Sequence, residues 1–145
     1  MDKKQDALDA FSKKFNCAQS VFSAFARDVG IDRETALKVS ACFGGGMRCG
    51  EVCGAVTGAL MAIGMKYGSS TENDSDNKQL TSTKALEFIN KFKEKNGTAL
   101  CRELLKFDIS SPDEMKEIKQ KGLFATVCPK AIESAVEILE EVFKE

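Results

Sequence analysis

Three of the six cysteines and six of the eleven glycines fall within the eighteen residues from Ala41 to Gly58, which read Ala-Cys-Phe-Gly-Gly-Gly-Met-Arg-Cys-Gly-Glu-Val-Cys-Gly-Ala-Val-Thr-Gly. No other stretch constrains the fold as much. The run Gly44–Gly46 frees the backbone to take positive φ or to approach another group closely. A helical pattern then starts at Cys53 and continues to about Tyr67. Gly54, Ala55, Gly58, Ala59 and Ala62 make one face of it smooth, and Leu60, Met61, Ile63 and Met65 are bulkier. A helix apolar nearly all round belongs in the middle of a domain. The pattern therefore predicts a buried central helix entered from a glycine loop, with Cys53 at the junction.

The other helices follow from apolar spacing and punctuation. Asp2–Phe15 carries Leu8, Phe11 and Phe15 on one face, and Asn16 can cap a second helix bearing Val21, Phe22, Phe25 and Val29. Asp32 caps a third, Arg33 to about Cys42, with Ala36, Leu37 and Val39 facing inward and Cys42 at its far end. Gly68–Asn77 is a polar loop, and Lys78–Lys95 follows with Leu86, Ile89 and Phe92 as core residues before the Asn96–Gly97 stop. Thr98 is the expected cap of a short helix, Ala99–Lys106. Ser111-Pro112-Asp113-Glu114 starts another that ends at Gly122, and Cys128-Pro129 opens the last, to about Phe143. No alternating strand is present. The expected fold is all-α: one domain over residues 1–145, a compact bundle of seven to eight helices around a buried central helix.

Composition narrows the chemistry. With no histidine, the chain offers no Cys–His or Ser–His pair, no histidine-ligated zinc and no histidine ligand for haem. There is no C-x-x-C, no G-x-G-x-x-G and no Walker loop, so a nucleotide motif is absent. A net charge of −1 argues against nucleic acid as the main partner. The uncharged stretch Val52–Met65 is too short for membrane insertion. Met1–Gln5 has no apolar run behind its charges, so a cytoplasmic location is expected. Sulfur is what remains, and in a reducing compartment six cysteines point to thiols, metal ligands or catalytic disulfides.

Cys17, Cys53, Cys101 and Cys128 each fall in the first turn, or at the cap, of an expected helix. Unpaired amides and the positive end of the helix dipole favour a thiolate there. If those helix starts converge, the four sulfurs share one pocket, with Cys53 as the central thiol because the glycine loop leaves it reachable. Cys49, in C-x-x-x-C spacing with Cys53 across a glycine, is an accessory candidate. Glu51 between them could relay a proton, though such a glutamate is commonly just solvated, and Arg48 could favour nearby thiolates. Cys42, at a helix end, reads as a core filler.

Cys53-Gly54-Ala55-Val56-Thr57-Gly58 reads as a CGAxxG motif preceded by a glycine run, with Cys17 upstream and Cys101 and Cys128 downstream. In motif, length and cysteine order the chain resembles the C_GCAxxG_C_C family of redox-active proteins. The resemblance implies that Cys17, Cys53, Cys101 and Cys128 are the functional set, and leaves Cys42 and Cys49 outside it. Three functions remain open. The thiols are a redox enzyme or carrier, a thiol-dependent oxidoreductase exchanging electrons with a redox partner protein that the residues do not identify. Alternatively, Cys17, Cys53, Cys101 and Cys128 hold zinc or an iron–sulfur cluster, with all-thiolate ligation. In the third reading the domain is an interaction module whose cysteines fill helix junctions. The apolar last helix and the small-residue face would also suit a homodimer.

Overall fold

The computed structural model describes residues 2–144. Among them the chain forms nine α-helices and no strand. They are α1 (Lys3–Ser12), α2 (Cys17–Phe25), α3 (Arg33–Val39), α4 (Gly54–Tyr67), α5 (Ser75–Asn96), α6 (Cys101–Leu105), α7 (Pro112–Gln120), α8 (Leu123–Thr126) and α9 (Cys128–Lys144). The fold is all-α, as expected. The helix beyond the expected eight is α8, a single turn.

Local chemistry sets most of the boundaries. Asn16 accepts from the Gln19 amide while the Gln19 side chain accepts from the Asn16 amide, a reciprocal cap that fixes where α2 begins. Asp32 caps α3, Ser111 caps α7 with Pro112 behind it, and Gly97 ends α5 at φ 86°. Asp74 accepts from the Asn77 amide, so α5 starts three residues before the expected Lys78. Thr98 does not cap α6. It accepts instead from the Leu100 amide in a local turn, and α6 begins only at Cys101.

α4 occupies the centre and packs against α2, α5 and α9. Its first charged residue is Lys66, so nearly its whole circumference can be buried, and Gly54, Ala55, Val56, Gly58, Ala59, Ala62 and Ile63 all are. The main core adds Phe22, Phe25, Phe88, Phe92, Ile132 and Leu139. Two expected inward residues, Leu86 and Val39, are 58% and 52% exposed. Phe88, two positions along α5 from Leu86, takes the buried place, because the core stripe runs through Phe88 and Phe92 at i, i+4 spacing. A smaller apolar cluster gathers Leu105, Ile118, Phe107, Ile109, Met115 and Phe124 around α6–α8. Cys128 packs against both clusters.

The small-residue face of α4 lets α2 come within backbone contact. A Cβ at Gly58 would lie 2.5 Å from the Ala18 carbonyl oxygen, which belongs to the backbone of a packed helix. Gly58→Ala should therefore cost ~1–3 kcal/mol. An unchanged urea midpoint for this variant would mean that the two helices are not in contact there.

Candidate functional site

The glycine stretch becomes a left-handed turn. Gly45, Gly46, Met47 and Arg48 have φ of 65°, 62°, 60° and 66° in succession. Side-chain-bearing residues resist this conformation, at roughly 1–2 kcal/mol each. Contacts of the neighbouring Gly46, Gly50 and Glu51 hold Met47 and Arg48 in it. The Glu51 amide donates to the Gly46 carbonyl at 3.0 Å, and Arg102 donates to the Gly50 carbonyl at 3.2 Å while pairing with the Glu51 carboxylate at 2.8 Å. Glu51 is thus held in an ion pair, half-exposed.

The turn leads into a one-residue antiparallel bridge between Val52 and Leu100. The Cys53 amide donates to the Ala99 carbonyl, and the Cys101 amide to the Glu51 carbonyl, each at 2.7 Å. Side chains alternate across such a ribbon, so Cys53 and Cys101 emerge on the same face as diagonal neighbours. The sequence reading missed this bridge. It is too short to show alternation, and nothing in Leu100 or Val52 alone announces it.

All four cysteines stand at helix starts: Cys17, Cys101 and Cys128 are the first residues of α2, α6 and α9, and Cys53 precedes α4. They also line one cavity of about 710 Å³, at the seam between the two apolar clusters. Phe11, Phe15, Leu104, Ile109, Met115 and Phe124 form much of its wall. Lys14 and Arg48 are the charged residues lining it, and no carboxylate does. A cleft of similar size, about 750 Å³, between α1 and Gly30–Arg33 contains no cysteine. Cys49 is exposed, lies off the cavity, and its thiol donates to the Gly46 carbonyl at 3.4 Å. Cys42 is exposed beyond the end of α3 and fills no core.

Electrostatics distinguish the four thiols. The Cys128 sulfur beside it and burial hold the Cys17 thiol well above its ordinary value, and the neighbouring Cys53 and Cys101 sulfurs add to the effect. Cys128 is lowered below its ordinary 9.0 by the Cys17 thiol, against the opposing effect of burial. Cys128 is also the less buried of the two, which favours the charged form there. Cys53 is pushed up to about 11 by burial. The Ala55 and Val56 amides at the start of α4 pull the other way, but their geometry falls short of a cap hydrogen bond and burial prevails. Burial, with the Cys53 and Cys128 sulfurs nearby, lifts Cys101 to about 12. At Cys53 burial thus opposes the thiolate that the helix start favours, a desolvation cost not visible in its spacing.

Among the described residues, no three Cys, Asp or Glu side chains are grouped so as to hold one metal ion. The zinc and iron–sulfur alternatives gain no ligand set from this arrangement. No helix among those residues is long and apolar enough to cross a membrane.

A family model described as "Putative redox-active protein (C_GCAxxG_C_C)" matches residues 15–142. No curated protein and no solved structure matches the chain.

Proposed function

The chain belongs to the C_GCAxxG_C_C family, and from that premise we propose that it performs thiol–disulfide redox chemistry with Cys128 as the attacking thiol and Cys17 as the resolving one. The observation that carries this reading is that the two cysteines line one cavity at the starts of α2 and α9, near enough that each sulfur shifts the titration of the other. The Cys128 thiolate attacks one sulfur of a substrate disulfide. That S–S bond breaks, one substrate thiolate leaves with the electron pair, and a mixed disulfide remains on Cys128. Cys17 then gives up its proton and attacks the Cys128 sulfur, expelling the second substrate thiol. Two protein thiols have become one disulfide, and one substrate disulfide has become two thiols.

Cys53 and Cys101 complete the proposed set as a second dithiol, protonated at neutral pH and fixed by the bridge beside Cys128. From there they can pass the oxidation onward by exchange. The cytoplasm, where reductants return disulfides to thiols, suits such a cycle. The enzyme reading is a thiol-dependent oxidoreductase.

Peptide mapping after mild oxidation of the anaerobically reduced protein tests the assignment. The expected product is a Cys17–Cys128 disulfide formed first, with Cys49 remaining a free thiol. A first bond between any other two cysteines overturns the assigned roles. Bound iron or zinc in the freshly isolated protein, lost together with that reactivity when the thiols are oxidised, would put the metal reading in its place.

A further inference from the structure

Resting on the thiol–disulfide reading, we infer that the substrate of this cavity is a small organic disulfide with an apolar body and an anionic group. Access is the first reason. Cys17, Cys53 and Cys101 are 8%, 5% and 7% exposed and Cys128 is half-buried on the same cavity, so an oxidant that engages the set enters the cavity. A volume of about 710 Å³ is the size of a small-molecule site, and its aromatic and aliphatic walls match the apolar bulk of such ligands.

Charge is the second reason. The chain carries 22 acidic residues, yet the cavity lining has two cations and no carboxylate. Those cations, Lys14 and Arg48, are exposed, and neither makes an ion pair or side-chain hydrogen bond among the described residues. Both have positive φ, 78° at Lys14 and 66° at Arg48, although neither is a glycine. At Lys14 this is the left-handed turn that ends α1, where the Lys14 and Phe15 amides donate to the Phe11 and Ala10 carbonyls. Two cations without a partner among the described residues thus line an apolar, thiol-bearing cavity, an arrangement complementary to a ligand with a carboxylate or similar anion at one end.

The test compares two aromatic disulfides, dianionic 5,5′-dithiobis(2-nitrobenzoate) and neutral 4,4′-dithiodipyridine, as oxidants of the reduced protein. The background carries Cys42→Ser and Cys49→Ser, which remove the exposed thiols outside the cavity. Lys14→Asn and Arg48→Asn then remove the cations, with a residue that tolerates left-handed backbone. The double change should slow the dianionic reagent by roughly five- to tenfold, a few-fold per exposed cation, and leave the neutral one within about twofold. Added salt should slow the dianion selectively in the unaltered background, which gives the same reading even if the variants fold poorly. Equal effects on both reagents, or none on either, overturn the inference while a Cys17–Cys128 disulfide still forms. If neither reagent produces that disulfide, the thiol–disulfide reading fails and takes the inference with it.

Discussion

Iodoacetamide added to the reduced protein at neutral pH should alkylate Cys128 at least about tenfold faster than Cys53 or Cys101. The Cys17 thiol beside it lowers Cys128 below its ordinary 9.0, whereas burial pushes Cys53 up to about 11, so the thiolate fraction at neutral pH favours Cys128. A less basic thiolate is a weaker nucleophile, which offsets part of that advantage. Limited access to the buried Cys53 and Cys101 adds to it. The pH profile locates the cause. The Cys17 thiol beside it is what lowers Cys128, and burial acts in the opposite direction. Cys17→Ala removes that neighbour and leaves the burial, so the Cys128 profile should move upward and its rate at neutral pH should fall. An unmoved profile would mean that Cys17 does not support the Cys128 thiolate. Cys53 labelled first would make that residue, and not Cys128, the reactive thiol.

The second large effect is expected at Gly46. A Cβ there would stand 2.4 Å from the Glu51 nitrogen, 2.7 Å from the Glu51 oxygen and 2.9 Å from the Cys101 Cβ, at a φ of 62°. Glu51 cannot easily yield, because its amide is bonded to Gly46 and its carbonyl receives the Cys101 amide. Left-handed strain of about 1–2 kcal/mol and overpacking of about 1–3 kcal/mol together predict a loss of ~2–5 kcal/mol for Gly46→Ala. Gly97→Ala is the matched control. It also has positive φ, 86°, but nothing lies within 4 Å of its added Cβ, so only the strain applies. Urea unfolding of both variants decides the matter: equal losses would mean that the turn is not packed against Glu51. Gly46→Ala should also quicken alkylation of Cys101 as the bridge loosens.

The sequence made the helices legible wherever a signal is local. Asn16, Asp32 and Ser111–Pro112 announce their helices because each cap acts within three or four residues of itself. The small-residue face of α4 was legible too, since Gly58 and its neighbours repeat at helical spacing. What escaped the sequence is non-local. The Val52–Leu100 bridge joins residues far apart in the chain. Leu86 and Phe88 are both apolar and close together on α5, and only the neighbouring helices decide which of them is buried. The electrostatic ranking of the thiols escaped for the same reason. Cys17, Cys53, Cys101 and Cys128 look alike as helix starts, and they differ in how much water reaches each sulfur.

Cys17 and Cys128 meet although more than a hundred residues separate them along the chain. A covalent bond at that contact would close a loop containing most of the protein, and a loop of that length restrains the unfolded chain by ~4–5 kcal/mol. A thermodynamic cycle requires the same free energy on its other arm. Whatever the bond adds to the stability of the native state, the native state adds to the favourability of the bond. The folded dithiol would therefore be a stronger reductant than the same two cysteines on an unfolded chain, and unfolding the protein would weaken its reducing power.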